Sequence, residues 1–221
     1  MLNAKAVDTN NCQLEQQHVF AQYDINNVTK QGKKSLQQLN LYRLDNQVIH
    51  QYEHNNIGLW WTKTSHNRVM LNRFFDHEKR VIEYQADEIT GSFDWHTKYQ
   101  LINEEFLTKM TLVKSTGEAC NTEEVLTYQS AETTYQLVWL PNLKFIKSLK
   151  VSQAEQIISQ WSLVKYNLAS VKAKEKFTQL LDYKSTDYAD IGDNESNPFL
   201  AKMIHQGFMP TQDVTDDEHQ H

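Results

Sequence analysis

The residue types in this 221-residue chain that are best suited to metal chemistry are its nine histidines. His50 lies in a predicted β-strand and His54, four residues later, lies just past its end, so the two side chains would share a face but stand about 13 Å apart. That separation is too long for two ligands of one zinc ion. His66, His77 and His96 are scattered near predicted turns. We therefore predict solvated imidazoles, no metal centre and no cofactor.

The acidic loop 187–195 is a second candidate, because Asp187, Asp190, Asp193 and Glu195 surround one glycine there. These carboxylates could collect around calcium, but they lack the alternate-residue spacing of an EF-hand loop. They could instead stabilise the positive N-terminal end of the following helix. The third interpretation is recognition of a partner. The predicted partner-docking residues are Asp190, Asp193, Glu195 and Phe199.

Carboxylate pairs that could act as general acid and base occur at Asp76 with Glu78 and at Glu104 with Glu105. Each pair lies at a predicted turn or on a helix face, without the apolar surroundings that raise the pKa of a carboxyl group. We predict that these pairs are solvated. The chain has no Gly-x-Ser-x-Gly elbow, phosphate-binding loop or dinucleotide fingerprint. We therefore predict no catalytic residue and a protein that is not an enzyme.

Charge and hydrophobicity exclude other classes of protein. The 22 basic and 28 acidic residues give a net charge of −6 without a dense basic cluster, so nucleic acid is not an expected partner. No stretch approaches the ~20 apolar residues that span a bilayer. We predict one domain over residues 13–210, between an N-terminal arm, 1–12, and a disordered acidic tail, 211–221. Residues 2–6 are small and polar, typical of a mature N-terminus after removal of a signal peptide, which favours a periplasmic location.

The two cysteines also favour a periplasmic location. Cys12 lies in a polar N-terminal segment and Cys120 in a turn-like stretch, and there are no others. Neither lies on an apolar face, where buried free thiols are usually found. We predict a Cys12–Cys120 disulfide formed in an oxidising compartment. Two unrelated free thiols are the alternative.

Apolar residues recur at every second position through residues 36–86. This period of two is typical of β-strands with one apolar and one polar face. Turn-forming residues separate the runs, as at 45–46 and 65–67. The predicted strands are 35–44, 47–53, 58–63, 68–75 and 81–85 in a first meander, and 124–128, 134–140, 143–151 and 156–166 in a second.

Spacings of three to four residues predict helices. The predicted helices are a ragged one at 13–21, one from the cap Asp94 to Met110, one at 171–183, and one after the cap Asn197, with Pro198 first and Gly207 just past its end. The fold class is α+β. The two antiparallel meanders are expected to form one strongly curved sheet, an open half-barrel, around the helix that begins near Trp95, because only that helix is sufficiently apolar. The C-terminal helices follow.

Aromatic residues mark the sheet. The neighbours Trp60 and Trp61, like Phe74 and Phe75, must face opposite sides of their strands. Both faces therefore carry apolar area, and one of them is either covered by the C-terminal helices or open to a ligand. The alternative is that all these rings are core. The predicted ligand-binding residues are Trp60, Trp61, Phe74, Phe75, Tyr84 and Trp139.

The order of the elements over residues 13–166, with YQLVWLP at 135–141 and FIKSL at 145–149, resembles the periplasmic lipoprotein-carrier (LolA-like) architecture. The resemblance implies an open half-barrel with a hydrophobic concavity that holds acyl chains. In those carriers an arginine on an early strand helps to close the lid, and Arg43 loosely matches it. The helices at 171–206 have no counterpart there. Residues 189–200 also resemble a segment of uncharacterised bacterial envelope proteins.

Two functions from different classes follow. The leading hypothesis is a periplasmic binding or carrier protein for an apolar ligand, such as a lipid, or for a lipidated partner. The competing one is a structural or assembly protein that docks on another envelope protein through its acidic loop and last helix. A hydrolase assembled from residues distant in the sequence is the third.

The disulfide prediction is tested by thiol titration of the exported protein, unfolded without reductant. We expect no reactive thiol before reduction and two afterwards. Two reactive thiols before reduction would refute the bond.

Overall fold

The computed structural model describes residues 18–29, 31–54, 56–85, 88–89, 94–191 and 197–205. In this part of the chain, twelve strands form one sheet and four short α-helices pack on it. The sheet is almost entirely antiparallel and does not close. The α+β prediction is thereby confirmed for the architecture, which is mainly β and consistent with an open half-barrel.

The strands are β1 (His18–Val28), β2 (Lys34–Leu44), β3 (Gln47–Tyr52), β4 (Ile57–Lys63), β5 (Val69–Phe75), β6 (Arg80–Tyr84), β7 (Thr111–Thr116), β8 (Glu123–Ser130), β9 (Thr133–Leu140), β10 (Phe145–Gln153), β11 (Gln156–Leu168) and β12 (Lys184–Asp187). The helices are α1 (Trp95–Gln100), α2 (Glu104–Lys109), α3 (Val171–Leu181) and α4 (Pro198–His205), with 3-10 turns at Ala119–Asn121 and Ala189–Ile191.

The sheet order is β12-β6-β5-β4-β3-β2-β1-β11-β10-β9-β8-β7. Two meanders therefore join where β1 pairs with β11, with Ile25 opposite Trp161. β12 extends the first meander by pairing parallel to β6. Asp45 and Asn67 adopt the left-handed backbone, with φ of 53° and 58°, at turns that the sequence predicts.

Curvature brings the two meanders together on one face, which we call the inner face. β2 and β10 are three strand spacings apart, about 14 Å in a flat sheet. The guanidinium carbon of Arg43 on β2 nevertheless lies 4.6 Å from the ring centroid of Phe145 on β10. Leu41 and Leu137, one from each meander, are fully buried in one hydrophobic cluster. The inner face is therefore the concave side of the sheet.

The opposite, outer face of the first meander is covered by α3. Ala173, Phe177 and Leu180 lie three or four residues apart and form the buried stripe of this helix. They pack on outward side chains of the strands, among them Phe20 and Ile49. The sheet therefore has two apolar cores, and α1 is not the only helix apolar enough to cover it.

Two predicted helices are corrected. Residues 18–21 belong to β1, and residues 13–17 lie outside the described part of the chain. Val19, Ala21 and Tyr23 all turn inward, a period of two that the ragged helical pattern concealed.

The predicted helix from Trp95 to Met110 is divided into α1 and α2. Leu101 ends α1 in the left-handed conformation, with φ of 64°. Asn103 then begins α2, because its side chain accepts a hydrogen bond from the Phe106 amide. The cap at Asp94 is confirmed, since its carboxylate accepts from the amides of His96 and Thr97.

Besides β1, two strands escaped the sequence analysis. β7 is exposed along its whole length, and β12 is four residues long with no apolar side chain. Neither carries the alternation on which strand prediction depends. The cap at Asn197 is confirmed by its bond from the Phe199 amide, whereas Gly207, the arm 1–12 and the tail 211–221 lie outside the described residues.

Asp76 is not the solvated carboxylate that we predicted. Its two oxygens accept bonds from Lys176 Nζ at 2.9 and 2.8 Å, and one also accepts from the Tyr183 hydroxyl at 2.8 Å. Gln51 donates to the same carboxylate. Lys176 is 8% exposed, so this network fastens α3 to the outer face in partly desolvated surroundings.

Asp76→Ala should lower the free energy of unfolding by about 2–4 kcal/mol, because it leaves the Lys176 ammonium buried without its carboxylate. Urea unfolding followed by circular dichroism measures the change. The matched control Glu105→Ala breaks the exposed i,i+4 pair with Lys109 and should leave the midpoint unchanged. Equal midpoints for the two variants would contradict the anchoring role of Asp76.

Candidate functional site

The inner face is the largest apolar surface in the fold. It is built by every second residue of the strands, so Trp61, Phe75, Tyr84 and Trp139 all point into the concavity. Trp61 is only 1% exposed, because helices lie over the strands. The candidate site is thus an apolar concavity that helices cover.

α1 and α2, which we call the cover, span both meanders. Over the first meander, the ammonium of Lys98 in α1 lies 4.6 Å from the Trp61 ring centroid. Over the second meander, the Phe106 ring of α2 lies 5.3 Å from Tyr128 and 5.0 Å from Tyr135. Aromatic edge contacts of this kind are favourable at about 4.5–7 Å. The cover therefore rests on the concavity through these side chains and through Ile102 and Met110 of the same segment, which are buried in the inner cluster.

Arg43, on β2 of the sheet, is hydrogen-bonded to the cover. This residue is 0% exposed, and its Nε donates to the carbonyl oxygen of Tyr99 in α1 at 2.8 Å. Nη1 and Nη2 donate to the carbonyl oxygens of Leu143 and Lys144 in the β9–β10 turn, at 2.9 and 2.6 Å. One guanidinium thus connects the first meander, the cover and the second meander.

Aromatic rings complete the surroundings of Arg43. The Tyr99 ring centroid lies 4.2 Å from its guanidinium carbon, and Phe145 approaches from another side. Burial lowers the pKa of the Arg43 guanidinium, while Tyr99 and Tyr23 act in the opposite direction. The positive charge is met by carbonyl dipoles and ring faces. Such a charge is costly to bury, so these bonds are needed to keep it in place.

The last helix adds a second cover over the first meander. Phe199 packs edge-on against Phe75 at 5.0 Å, and Leu200 is buried in the inner cluster. Ile191, in the 3-10 turn before the helix, is buried as well. Of the predicted docking residues, Phe199 therefore contacts the protein's own core and Asp190 is exposed, whereas Asp193 and Glu195 lie outside the described residues.

The six predicted ligand-binding residues divide between the two faces. Trp61, Phe75, Tyr84 and Trp139 belong to the inner cluster, whereas Phe74 belongs to the outer cluster and Trp60 packs against it. The Phe74 ring also lies over Gly58, where an added Cβ would stand 2.0 Å from its Cζ. The Trp60 ring meets Phe177 of α3 at 5.8 Å. An inner-face site therefore brings together four of the six.

A cavity of about 400 Å³ lies in the wall of the half-barrel. Its apolar lining comes from Leu140, Leu163, Val164 and Tyr166. Leu140 and Leu163 also belong to or pack against the inner cluster. The floor of the cavity therefore touches the inner cluster, and its volume is within the usual range of ligand pockets.

A different cavity, of about 660 Å³, lies between α3 and the outer face. Polar side chains dominate its lining, including Asn40, Glu53, Asp76 and Lys172. Burial raises the pKa of Tyr42 there to about 12, and Asp76 and Glu53 add to the shift. This surface suits a polar molecule and has no apolar floor for a lipid.

The described part of the chain shows neither a group of metal-binding side chains nor a membrane-spanning helix. No group of three or more histidine, cysteine or acidic residues there stands close enough to hold an ion. None of the helices there combines the length and hydropathy needed to span a bilayer. Cys12 lies outside the described residues, so the disulfide with Cys120 stays a prediction.

The sequence is matched by no protein-family model, and no curated protein is recognisably related to it. Similar folds occur among solved structures. An uncharacterised conserved protein from Thermus thermophilus is 7% identical, with a TM-score of 0.44 over 81% of this chain and 97% of that one. MucB is 12% identical, with a TM-score of 0.42 over 76% of this chain and 60% of its own.

An outer membrane lipoprotein-sorting protein domain from Vibrio parahaemolyticus is 7% identical, with a TM-score of 0.35 over 78% of this chain and 95% of that one. The structural neighbours thus include a lipoprotein-sorting domain. This agrees, at the level of the fold, with the predicted resemblance to lipoprotein carriers. The likeness is weak and one of fold alone.

Proposed function

We propose that this protein is a periplasmic carrier that binds an apolar ligand, or the acyl chain of a lipidated partner, in the concavity of its sheet. The observation that supports it is the set of three hydrogen bonds that the buried Arg43 guanidinium donates to the carbonyl oxygens of Tyr99, Leu143 and Lys144. A purely structural core has no need of a buried guanidinium, because apolar side chains of the same volume are often as stabilising or more so. A polar bond that joins separate elements can instead hold a cover that opens.

The contacts of the cover fit this role. α1 and α2 are six residues each, too short to be stable alone in water. Their hold on the sheet includes the Arg43 bond to Tyr99, a bond between His50 and the Lys98 carbonyl, and the packing of the segment on the inner cluster, where Ile102 and Met110 are buried. In the proposal, lifting this segment exposes Trp61 and its neighbours without disturbing the strand ladder.

The outer face lacks these features. α3 is eleven residues long, buries an apolar stripe and is fastened by the Asp76 network. In the proposal, the outer face is the fixed half of the protein and the inner face is the binding half. A periplasmic location belongs to the same proposal, and the predicted disulfide is consistent with it.

Docking on another envelope protein through the acidic loop and last helix stays the alternative. Phe199, the apolar one of the four predicted docking residues, already contacts Phe75 and lies 5.8 Å from the guanidinium carbon of Arg80. Native mass spectrometry of protein purified from its own host separates the two functions. A bound lipid supports the carrier, whereas a stoichiometric protein without lipid supports docking.

Trp60 and Trp61 provide a matched pair of variants, because they are adjacent and face opposite sides of β4. Trp61→Ala should cost about 3–5 kcal/mol of stability and weaken binding of the fluorescent fatty acid cis-parinaric acid at least tenfold. Trp60→Ala should also lose stability, through its contact with Phe177, but should retain the affinity of the parent. Fluorescence titration below the unfolding range of each variant measures both. Equal affinities, or no binding by the parent, would contradict an inner-face site.

Arg43→Met tests the cover. The variant keeps most of the side-chain volume but removes the donors to three carbonyl oxygens, each worth about 1–3 kcal/mol when left unpaired. We expect lower stability and faster uptake of cis-parinaric acid in stopped-flow fluorescence, because the cover opens more often. Arg68→Met, at an exposed turn, should change neither. An uptake rate equal to that of the parent would show that Arg43 does not hold the cover.

A further inference from the structure

The outer face of the sheet changes from apolar to polar beside α3. Phe20, Tyr42 and Ile49 lie opposite one another on β1, β2 and β3 and belong to the core under the helix. Two residues further along the same strands, the outward side chains are amides, namely those of Gln22, Asn40 and Gln51. The cavity of about 660 Å³ lies at this boundary, because both Tyr42 and Asn40 line it.

The helix α3 provides the other wall of this outer cavity. Four of its residues line the cavity and are three or four positions apart, so they form one polar stripe beside the buried apolar stripe. They are Lys172, Glu175, Lys176 and Gln179. The cavity is therefore polar on both sides, and its volume is within the usual range of ligand pockets.

Hydrogen bonds hold the polar side chains of the sheet in one arrangement. Gln22 Nε2 donates to Asn40 Oδ1 at 3.1 Å and to Glu53 Oε1 at 3.0 Å. Asn40, which is 5% exposed, donates from Nδ2 to the same Glu53 oxygen at 2.9 Å. Both donors use one carboxylate oxygen, so Glu53 Oε2 has no donor among the described residues. A ligand in the cavity would find this acceptor already positioned.

Tyr42 places a hydroxyl without a partner in the same cavity. Its side chain is 4% exposed and its ring contacts Phe20 at 5.1 Å. The hydroxyl forms no hydrogen bond with a described residue, although the charges of the cavity residues Asp76 and Glu53 both raise its pKa, as burial does. Buried hydroxyl groups normally have a hydrogen-bond partner. This one is therefore a donor and acceptor that a bound molecule would satisfy.

The charges around the cavity are of both signs. Its carboxylates are those of Glu53, Asp76 and Glu175, and its ammonium groups are those of Lys172 and Lys176. Asp76 and Lys176 neutralise each other in an ion pair at 2.8 Å. An anion would be repelled by the remaining carboxylates and a cation by the Lys172 ammonium. The lining therefore favours an uncharged molecule that makes many hydrogen bonds.

We propose that the outer cavity is a second binding site, whose ligand is a neutral saccharide held through the Tyr42 hydroxyl and the Glu53 carboxylate. Each sugar hydroxyl both donates and accepts hydrogen bonds, so a saccharide can pair with the mixed donors and acceptors of the two walls without bringing a charge. The site belongs to the fixed half of the protein and needs no movement of α3. It is independent of the carrier function proposed for the inner face.

Saturation-transfer difference NMR of the full chain measures binding. The probes are the neutral disaccharides maltose, lactose and N,N′-diacetylchitobiose, with spermidine as a cation and citrate as an anion. At about 10 mM of each probe, a site with a millimolar dissociation constant is largely occupied. We expect at least one disaccharide to bind, and to bind more tightly than either ion.

Tyr42→Phe removes only the hydroxyl and keeps the ring against Phe20. The affinity for the bound disaccharide should fall about tenfold, as expected for one lost hydrogen bond in a buried site. The urea midpoint and the affinity for cis-parinaric acid should not fall, because the hydroxyl has no partner among the described residues and lies on the outer face. The matched control is Tyr166→Phe. Tyr166 lies opposite Ala21, a residue of the inner cluster, so this variant should retain the parent's affinity for the disaccharide.

Glu53→Gln is a second, independent variant. Its side chain keeps an oxygen for the bonds from Gln22 and Asn40 but replaces the free acceptor with an amide donor. We expect weaker binding of the disaccharide here as well, with folding checked by circular dichroism. This variant tests the site if Tyr42→Phe does not fold.

Three results would overturn the inference. The first is that no disaccharide binds the parent, in which case the cavity holds only water. The second is that a disaccharide binds but both Tyr42→Phe and Glu53→Gln retain the affinity of the parent, which would place the saccharide elsewhere. The third is tighter binding of spermidine or citrate that Tyr42→Phe weakens, which would make the cavity a site for a charged molecule. None of these results bears on the inner-face carrier, which cis-parinaric acid tests separately.

Discussion

The inner half of this structure depends on one buried guanidinium. Arg43 donates to carbonyl oxygens in α1 and in the β9–β10 turn, which are separate from β2 in the sequence and meet only because the sheet curves. A buried charge without these acceptors would cost several kilocalories per mole. The curvature, the position of the cover and the closeness of the two meanders are therefore parts of one constraint. Any movement that separates them must first give the guanidinium other partners.

The two apolar faces of the sheet are covered in different ways. On the outer face a single amphipathic helix is fastened by a carboxylate network at the surface, so stability and attachment reside in one element. On the inner face the covering pieces are short and are held by individual contacts. Local stability is expected to follow contact density. We therefore expect α1 and α2 to open more readily than α3, as the proposed carrier requires.

The sequence predicted the elements whose pattern is local. Alternation identified most strands, and the turn at Asp45 and the caps Asp94 and Asn197 each rest on residues adjacent in the chain. The helix predicted over β1 failed because Gln13 to Ala21 is only weakly periodic, whereas β1 is fixed by its two neighbouring strands. The division of the cover depends on Leu101, whose left-handed backbone carries no sequence signal.

The site was less predictable than the fold. Alternation placed Trp60 and Trp61 on opposite faces, but not which face is concave, since that depends on the pairing of β1 with β11, strands far apart in the sequence. Asp76 was predicted to be solvated because its partners, Lys176 and Tyr183, lie about a hundred residues away. Arg43 could be singled out only through the resemblance to lipoprotein carriers.

Hydrogen–deuterium exchange with and without a bound amphiphile tests most directly whether the cover and the sheet separate. If the ligand lies beneath the cover, cis-parinaric acid should change the exchange of residues 94–110 and of the β9–β10 turn, which are both bonded to Arg43. Exchange in α3, on the outer face, should stay the same. Changes confined to α3 and the outer cleft, or no change in residues 94–110 at saturating ligand, would contradict the account.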